Sequence, residues 1–408
     1  MEHRVAQILT EQEHYGWRID EPAAWELAQT IAEELREASD LLRNKFPFVG
    51  DKVQNPKRSN RTKGWHEGAP FTKLRETNPS SRDHLAWILQ NRLGWTPSQM
   101  TGTGKPIIDE NVLTEIGTET SAMMLKCLTL TKILGMMSKG QNAWLKLCTT
   151  ANRIHHHCSV EAATGRCCHK RPNLAQVPSE DRFRKLFTAT PGMVMCGADL
   201  SGIELRCLAH YLARYDGGEY GHELINGDIH QKNADKIGIT RKQVKTVTYA
   251  FLYGAGDEKI GHSYDRTLPT NKAKAKGKEI RAAYVDAIPG LGNLLDAVKR
   301  AADRKYVSAI DGRKIPVDSP HKALNYLLQS TAGVIAKRWM VIANDLLVDK
   351  AHQLAFIHDE LQYETHSFNV NDVCSALESS AIAAGEYYNF RILIAAEAKS
   401  GNDWSEVH

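Results

Sequence analysis

Apolar side chains recur every three or four positions in the segment that follows Asp20. The stripe consists of Ala24, Leu27, Ile31, Leu35, Ala38 and Leu42. Residues at this spacing share one face of an α-helix, Asp20 is a suitable N-cap, and Pro22 is tolerated in the first turn. The pattern therefore predicts a long amphipathic helix over residues 21–44.

The rest of the first third combines a polar segment with further helical patterns. Residues 46–80 are rich in proline, glycine, asparagine and lysine, a composition typical of loops. A second helix is expected to begin near Ser80 or Ser81, and residues 120–150 again have a helical pattern. This part of the chain is thus predicted to be mostly helix with one long basic loop.

Short extended patterns appear after about residue 153. The segment IHHHCSV and the apolar run MVMCGADL predict strands, and TGRCCHKRPNLAQVP between them is rich in turn residues. The segment SGIELRCLAHYLAR and most of residues 216–305 predict helices. AFIHDELQYE predicts two short strands that turn at His358 and Asp359.

Composition excludes several classes of protein. Hydrophobic residues make up 42% and charged residues 25% of the 408 positions, and no apolar run approaches the ~18–20 residues of a transmembrane helix. The charged N-terminal segment lacks the apolar core of a signal peptide, so a cytoplasmic location is expected.

Positive charge is concentrated in two runs, although the formal net charge of the chain is only +4. The first run is Lys52, Lys57, Arg58, Arg61 and Lys63, and the second is Lys272, Lys274, Lys276, Lys278 and Arg281. Such runs can contact phosphates. A solvated loop or helix face explains either run equally well.

The predicted strand end at Asp199 is the first segment with candidate chemistry. A carboxylate at the edge of a sheet, helped by the carbonyl of Leu200, suits Mg²⁺, which needs only one or two carboxylates besides phosphates and water. A helix cap is the simpler alternative for Asp199. Glu204 can close a capping box with Ser201 or form a wall against a ribose 2′-hydroxyl, and the two roles are compatible.

The second segment is a predicted helix with two cations followed by two aromatic residues. Arg241, Lys245, Tyr249 and Tyr253 lie four positions apart, so each is displaced only ~40° from the last and all project from one face. Cations suit a triphosphate, and an aromatic ring suits stacking on a base or sugar. His230 is a candidate for a further phosphate contact. An ordinary amphipathic helix, which would separate its cations from its aromatics, is the alternative.

The third segment is the predicted hairpin tip with His358, Asp359 and Glu360. Two aspartates from separate sheet elements, Asp199 and Asp359, can bridge two Mg²⁺ ions ~3.5–4 Å apart, as in two-metal phosphoryl transfer. A turn that contains a salt-bridged aspartate is the alternative.

The three segments, in this order, resemble motifs A, B and C of family A (Pol I-like) DNA polymerases. ADLSGIELR is similar to motif A, RKQVKTVTYAFLYG to motif B and FIHDE to motif C. TGRCCHKRPNLAQVP and NYLLQSTAG are similar to the family's primer-template elements. ELRCLAHYLAR, NGDIHQKN and FLYGAGDEKIG resemble the replicative subgroup from T-seven-like podophages. The resemblance extends from about residue 2 to the end of the chain.

The resemblance implies an α+β fold, the right-hand polymerase fold, in which an antiparallel palm sheet is combined with a helical thumb and helical fingers. The implied parts are the thumb at 1–150 (with a short basic loop at 46–77), the palm at 151–215 and 315–408, and the fingers at 216–314.

Residue roles also follow from the resemblance. Asp199, Asp359 and the Leu200 carbonyl would hold two Mg²⁺ ions, for which Mn²⁺ can substitute, with Glu360 beside them in the catalytic group. The dNTP would contact Glu204, His230, Arg241, Lys245, Tyr249 and Tyr253. Primer-template would contact Arg166, Asn173, Gln176, Arg313, Asn325, Gln329 and His358. Because Tyr249 stands where the family has Phe or Tyr, ready incorporation of dideoxynucleotides is expected.

Two departures from the related phage enzymes change the expected partners. The chain begins about where their exonuclease domain ends, so no intrinsic 3′→5′ exonuclease is expected, and a separate exonuclease subunit or processivity factor is compatible with the sequence. Residues 46–77 are much shorter than the thumb insertion that binds thioredoxin, so thioredoxin dependence is not expected. A direct grip on DNA by Lys57, Arg58, Arg61 and Lys63 is the alternative hypothesis.

Three other functions compete with DNA synthesis. A metal phosphohydrolase would need further ligands near His358 and Asp359 on neighbouring helices. An inactive DNA-binding scaffold would not need both aspartates and the cations of the predicted helix. A single-subunit RNA polymerase shares the motif logic, but Glu204 argues against it.

Overall fold

A computed structural model of the chain describes residues 1–265 and 268–408, except for the side chains of Asp51 and Lys52. Lys52, one of the cations in the first basic run, therefore has no described side chain. Two compact units are present, one formed by residues 1–21 and 147–408 and the other by residues 22–146. In the described part of the chain, no helix is both long and apolar enough to cross a membrane.

Helices make up about 55% of the chain and strands about 16%. The α-helices are α1 Glu2–Tyr15, α2 Glu21–Lys45, α3 Arg82–Leu93, α4 Glu110–Ile116, α5 Glu119–Leu134, α6 Trp144–Leu147, α7 Asp181–Arg184, α8 Ile203–Asp216, α9 Glu219–Asn226, α10 Ile229–Ile237, α11 Arg241–Leu252, α12 Asp257–Tyr264, α13 Thr270–Ala287, α14 Leu291–Asp303, α15 Ala323–Leu347 and α16 Val370–Tyr387. The strands are β1 Trp17–Ile19, β2 Phe48–Gln54, β3 Phe71–Glu76, β4 Arg153–Ile154, β5 His157–Ser159, β6 Cys168–Lys170, β7 Phe187–Thr188, β8 Met193–Leu200, β9 Tyr306–Ser308, β10 Lys314–Pro316, β11 Ala351–Ile357, β12 Glu360–His366 and β13 Ala396–Gly401.

The larger unit is organised around a four-stranded antiparallel sheet in the order β11-β12-β8-β13. The apolar run of β8 makes it a central strand, and Met195, Cys196, Ala198 and Leu200 are buried. Gly197 admits no side chain, because an added Cβ would lie 2.5 Å from the Gln362 amide of β12. The sheet therefore carries the end of β8 and the tip of the β11–β12 hairpin on adjacent strands.

Two long helices, α15 and α16, pack against each other and complete the core of this unit. Trp339 of α15 is fully buried, and its indole N–H donates to the carbonyl of Leu377 in α16 at 2.8 Å. Burial of a side chain of this size contributes about 1.5–3 kcal/mol or more. The packed helices give the sheet a rigid support.

The smaller unit has its own apolar core, which includes Leu42, Val49, Leu85, Ile88 and Leu89. The predicted helix over residues 21–44 is confirmed as α2. The helix predicted near Ser80 or Ser81 is confirmed as α3, and the Ser81 side chain accepts from the N–H of His84 at 3.4 Å.

The prediction that residues 46–80 form a loop is wrong for two parts of that range. Strands β2 and β3 pair antiparallel from Phe48 opposite Glu76 to Gln54 opposite Phe71. The hydrogen bonds between the two strands satisfy their backbone N–H and C=O groups. The polar composition of the segment does not indicate this pairing. The proline-, glycine- and lysine-rich positions form the connection between the two strands, and the basic run is thus carried on a β-hairpin.

Candidate active site

The predicted strands bring Asp199 and Asp359 to the same end of the sheet. Asp199 is the penultimate residue of β8, and Asp359 lies in the tight turn between β11 and β12. The N–H of Leu200 donates to the carbonyl of Asp359 at 3.0 Å, and His358 takes a left-handed backbone conformation with φ of 59°. The hairpin predicted at His358 and Asp359 is confirmed, and its tip is tied to the end of β8.

Burial and neighbouring negative charges raise the pKa of both aspartates. Partial burial, followed by the charge of Glu360, raises the pKa of Asp199 to about 6, although part of the side chain remains open to solvent. Burial, followed by the charge of Asp199, raises the pKa of Asp359 to about 7. Both carboxyl groups are thus harder to ionise than in water, mainly because they are buried, and a cation bound beside them would favour their charged forms.

These two carboxylates fit a divalent cation in charge and in ligand type. Neither has a salt bridge within the described residues, and both offer only oxygen. No group of three or more His, Cys, Asp or Glu residues in the described ranges is arranged to hold a metal ion. Mg²⁺ that retains water and substrate phosphates needs only one or two carboxylates.

Glu360 is held differently from the two aspartates. It stands opposite Asp199 in the β8–β12 register and is 5% exposed. Its carboxylate accepts from Trp404 Nε1 at 2.5 Å and Gln362 Nε2 at 2.6 Å, and His408 Nδ1 lies 3.3 Å away. Burial alone would raise the pKa of Glu360, but these contacts, led by His408, hold it below its ordinary value. The carboxylate acts on Asp199 as a neighbouring charge, and the catalytic assignment of Glu360 stays a prediction.

The predicted capping box of Ser201 and Glu204 is wrong. Helix α8 begins one residue later than that pattern requires, after Gly202 in the left-handed conformation, and it has no side-chain cap. The Glu204 carboxylate is turned to other partners: its Oε1 accepts from Arg166 Nη2 and from the Tyr253 hydroxyl, each at 3.1 Å. Three residues predicted from three separate segments thus meet at one oxygen.

Helix α11 has the two-faced character expected from its sequence. Thr240 and Gln243 form a capping box at its start, and Val244, Val247, Thr248, Phe251 and Leu252 are buried. Arg241, Lys245 and Tyr253 are exposed, and Tyr249 is half-buried. Tyr253 lies just past the helix as its C-cap. The predicted stripe of cations and aromatics therefore shares one accessible face.

The two ends of this stripe lie in different surroundings. At the aromatic end, Tyr253 reaches Glu204, and burial followed by the Glu204 charge raises its pKa to about 12. At the cationic end, Arg241 Nε donates to Asp228 Oδ2 at 2.7 Å. The His230 ring lies 6.5 Å from that of Tyr249, and burial, followed by the charge of Arg241, lowers its pKa. One end of the stripe thus contacts Glu204, and the other end lies beside Asp228 and His230.

The predicted primer-template residues divide into two groups. Some make contacts within the protein: Asn173 caps a short 3₁₀ turn, Asn325 Nδ2 donates to the Leu252 carbonyl at 3.0 Å, Arg313 pairs with Asp311 and Glu2, and Arg166 pairs with Glu204. Gln176 and His358 are exposed, and Gln329 is partly buried. His358 lies edge-on to the His169 ring at 5.7 Å.

Two charged residues near this site were missed by the sequence analysis. Asp228 precedes α10, and its position as a polar residue before the helix was the available signal. Arg184 ends the four-residue helix α7, is buried over the Trp404 ring at 4.9 Å, and has no bond to its Nε or Nη1 from the described residues. Burial lowers the pKa of Arg184, against the opposing charges of Glu360 and Asp199. Nothing in its sequence context distinguishes it from neighbouring cations.

Comparison with known proteins shows the family to which this fold belongs. The family model of DNA polymerase family A matches residues 54–406. DNA-directed DNA polymerases of Enterobacteria phage T3 and Escherichia phage T7 are each 32% identical over 100% of this chain and 70% of their own length. The POL domain of Pol1 from M. smegmatis, in complex with DNA primer-template and dNTP, has a TM-score of 0.80 at 22% identity and covers 100% of this chain and 70% of its own.

The chain belongs to DNA polymerase family A. It is a DNA-directed DNA polymerase, and the expected right-hand α+β fold is confirmed. The phosphohydrolase, scaffold and RNA polymerase alternatives are not supported by these relatives.

Proposed function

We propose that this polymerase adds dNTPs to a primer 3′-hydroxyl by two-metal phosphoryl transfer, and that the Asp199–Asp359 pair is its metal site. The observation that carries the proposal is the position of the two aspartates at one end of the sheet, where the N–H of Leu200 donates to the carbonyl of Asp359 at 3.0 Å. The exposed stripe of α11 begins with Arg241 and ends with Tyr253 at Glu204. Two carboxylates for metal ions and exposed cations for a triphosphate thus support the proposal.

In the proposed reaction, the primer 3′-oxygen forms a bond to the α-phosphorus, and the bond from that phosphorus to its bridging oxygen breaks. Pyrophosphate leaves, and the hydroxyl proton is lost to solvent. Two divalent ions held by Asp199, Asp359 and the Leu200 carbonyl would favour ionisation of the hydroxyl and neutralise charge on the leaving group. Arg241, Lys245 and His230 bind the triphosphate, and Tyr253 packs on the new base pair.

The proposal also assigns each range of residues to one part of the right-hand fold. Residues 1–150 serve as the thumb, 151–215 and 315–408 as the palm, and 216–314 as the fingers. Arg166, Asn173, Gln176, Arg313, Asn325, Gln329 and His358 contact primer-template. Glu204 excludes ribonucleotides with its carboxylate, which Arg166 and Tyr253 hold in place.

Primer extension on a defined template tests the proposal directly. Extension that requires the template, the matching dNTP and Mg²⁺ or Mn²⁺ is expected, with pyrophosphate as the second product. The same reaction without dNTPs, on a mismatched labelled primer, is expected to leave the primer intact, because no 3′→5′ exonuclease is proposed for these 408 residues. Phosphate release from dNTPs without template would contradict the proposal.

Substitution of Tyr249 by phenylalanine is expected to make the polymerase discriminate against dideoxynucleotides. The hydroxyl is half-buried, and burial followed by the charges of Glu204 and Asp359 raises its pKa, so it stays a hydrogen-bond donor. In a dideoxynucleotide, the Tyr249 hydroxyl would replace the missing sugar 3′-hydroxyl near the phosphates. Loss of its hydrogen bond to a charged phosphate corresponds to about a 10- to 100-fold change in selectivity. The measurement is the ratio of kcat/KM for ddTTP and dTTP. An unchanged ratio would show that the hydroxyl plays no such part.

The β2–β3 hairpin carries an excess of positive charge that we propose binds the DNA backbone. Residues 46–77 contain seven Lys and Arg against three Asp and Glu, and this excess equals the formal net charge of +4 of the whole chain. Lys57, Arg58, Arg61 and Lys63 are exposed. Their charge therefore faces solvent, where phosphates are recognised without regard to sequence.

The tip of this hairpin is ordered by its own contacts. Asn60 and Trp65 exchange backbone hydrogen bonds of 2.8 and 2.9 Å, and the Asn60 side chain accepts from the N–H of Lys63 at 3.1 Å. The Lys63 ammonium lies 4.9 Å from the Trp65 ring, which stacks on Phe71 at 5.2 Å. An ordered cationic tip loses less conformational entropy on binding than a flexible loop does.

Replacing Lys57, Arg58, Arg61 and Lys63 by glutamine is expected to weaken primer-template binding. The slope of log affinity against log salt should become shallower by about 0.9 for each phosphate that the variant no longer neutralises. The control exchanges lysine and arginine at the same four positions and should retain both affinity and slope. Equal affinities of the glutamine variant and wild type over the salt range would exclude the grip, and a processivity gain on adding thioredoxin would favour a protein partner instead.

A further inference from the structure

Asp228 lies between the two helices that carry the proposed triphosphate ligands. Its Oδ1 accepts from the backbone N–H groups of His230 and Gln231, each at 3.1 Å, and so caps α10. Its Oδ2 accepts from Arg241 Nε at 2.7 Å, in the first turn of α11. One carboxylate thus joins the start of the helix with His230 to the start of the helix with Arg241.

The ion pair leaves the phosphate-binding part of Arg241 open. Asp228 occupies Nε, and in the described part of the chain neither Nη of Arg241 has a hydrogen bond. The Arg241 side chain is 52% exposed. Because the guanidinium presents its donors as a rigid fork, a carboxylate on Nε restricts its orientation without using the Nη donors.

The same carboxylate also binds the backbone of His230. The bond from its backbone N–H to Asp228 fixes the residue in the first turn of α10. Its Nδ1 is buried and has no hydrogen-bond partner among the described residues. Tyr249 of α11 lies beside the ring. The backbone of His230 and the guanidinium of Arg241 are therefore both bound to one side chain.

We propose that Asp228 is a positioning residue, which fixes Arg241 and His230 relative to each other for the triphosphate of the incoming nucleotide. This inference rests on the proposed function of α11. A free arginine side chain loses rotamer entropy when it is immobilised, so prior restraint improves binding. Repulsion between Asp228 and the triphosphate opposes this effect, but both side chains of the pair are about half exposed and water screens the charge.

The test compares two substitutions of Asp228 in steady-state and single-turnover extension. Asp228→Asn keeps an oxygen that can cap α10 and removes the charge that holds Arg241. We expect KM for the dNTP to rise about three- to tenfold, with kcat within about twofold of wild type. Asp228→Ala also removes the cap, so it should raise KM at least as much and lower Tm, which Asp228→Asn should leave unchanged.

A comparable ion pair on the same unit provides the control. Arg281 Nε donates to Asp257 Oδ1 at 2.6 Å, in the first turn of α12. Asp257→Asn removes the same kind of charge from the same kind of ion pair, which includes none of the proposed triphosphate ligands. It should leave KM for the dNTP unchanged, so a rise in KM with this variant would mean that loss of any such pair has the effect and would overturn the specific role of Asp228.

A double substitution separates this inference from the function on which it rests. Arg241→Ala should raise KM, and adding Asp228→Asn to it should raise KM no further, because the residue to be positioned is absent. An Arg241→Ala variant with wild-type KM would overturn the assignment of α11 itself. If Arg241→Ala raises KM while Asp228→Asn leaves it unchanged or lowers it, the positioning role is overturned and the proposed function stands.

Discussion

Replacement of Asp359 by asparagine is expected to lower the rate of primer extension by at least about 10³-fold. Asparagine keeps the size of the side chain but supplies no negative charge to a divalent cation, and Mg²⁺ binds carboxylates in preference to amides. Asp199→Asn should have a comparable effect, since the two carboxylates are proposed to share the ions. Single-turnover extension at saturating dNTP and Mg²⁺ measures the chemical step without contributions from product release.

The same substitution is expected to stabilise the protein when no divalent cation is present. Burial and the charge of Asp199 raise the pKa of Asp359 from 3.8 to about 7. A carboxylate with a raised folded-state pKa destabilises the fold when it is ionised. That cost is fully present above about pH 7 and disappears as the pH falls towards about 4. In EDTA at pH 8, Tm of Asp359→Asn should therefore exceed that of wild type by about 2 °C, and the difference should vanish near pH 4.

These two effects together distinguish a metal site from a structural carboxylate. Asp303, an exposed residue at the end of α14, provides the control, and Asp303→Asn should change neither extension nor Tm. If Asp359→Asn lost activity because it unfolded, its Tm in EDTA would fall. A variant that keeps most of the wild-type rate at saturating Mg²⁺ would remove Asp359 from the proposed metal site.

Local sequence patterns were sufficient to place each of the two aspartates at the end of its own strand. The apolar run that leads to Asp199 predicts a buried strand with a polar end, and two short apolar segments around His358 and Asp359 predict a hairpin. The sheet order β11-β12-β8-β13 then brings the two ends together. Likewise, the spacing of four along α11 determines that its two cations and two aromatic residues share one face, and the packing of the helix leaves that face accessible.

Contacts between distant segments were not accessible in the same way. Glu204 satisfies a capping-box pattern with Ser201, yet Gly202 delays the helix start and the carboxylate instead binds Arg166 and Tyr253. The β2–β3 pairing joins two polar segments whose composition resembles loop. Asp228 and Arg241 are thirteen positions apart on different helices, so no periodicity reveals their ion pair. Such tertiary partners depend on how helices pack, which the pattern of one segment does not encode.

Substitution of Glu204 by alanine is expected to increase the use of ribonucleotides relative to deoxyribonucleotides by about 10- to 100-fold, because the carboxylate no longer blocks a 2′-hydroxyl. Its Oε1 is held by Arg166 Nη2 and the Tyr253 hydroxyl, each at 3.1 Å. A carboxylate fixed by two donors cannot move aside at low cost when a larger sugar enters. The ratio of kcat/KM for ATP and dATP opposite template thymine measures the effect.

The Glu204→Gln variant separates the effect of the size of the Glu204 side chain on sugar selection from the effect of its charge. Glutamine preserves the length of the side chain and can still accept from Tyr253, so discrimination against ribonucleotides should largely remain, while Glu204→Ala loses it. The alanine variant should also extend DNA more slowly, because Arg166, whose side chain is only 18% exposed, is left without its anion in a partly buried place. Equal ribonucleotide selectivity in wild type and Glu204→Ala would mean that the sugar is selected elsewhere, and that Glu204 serves only to hold Arg166 and Tyr253.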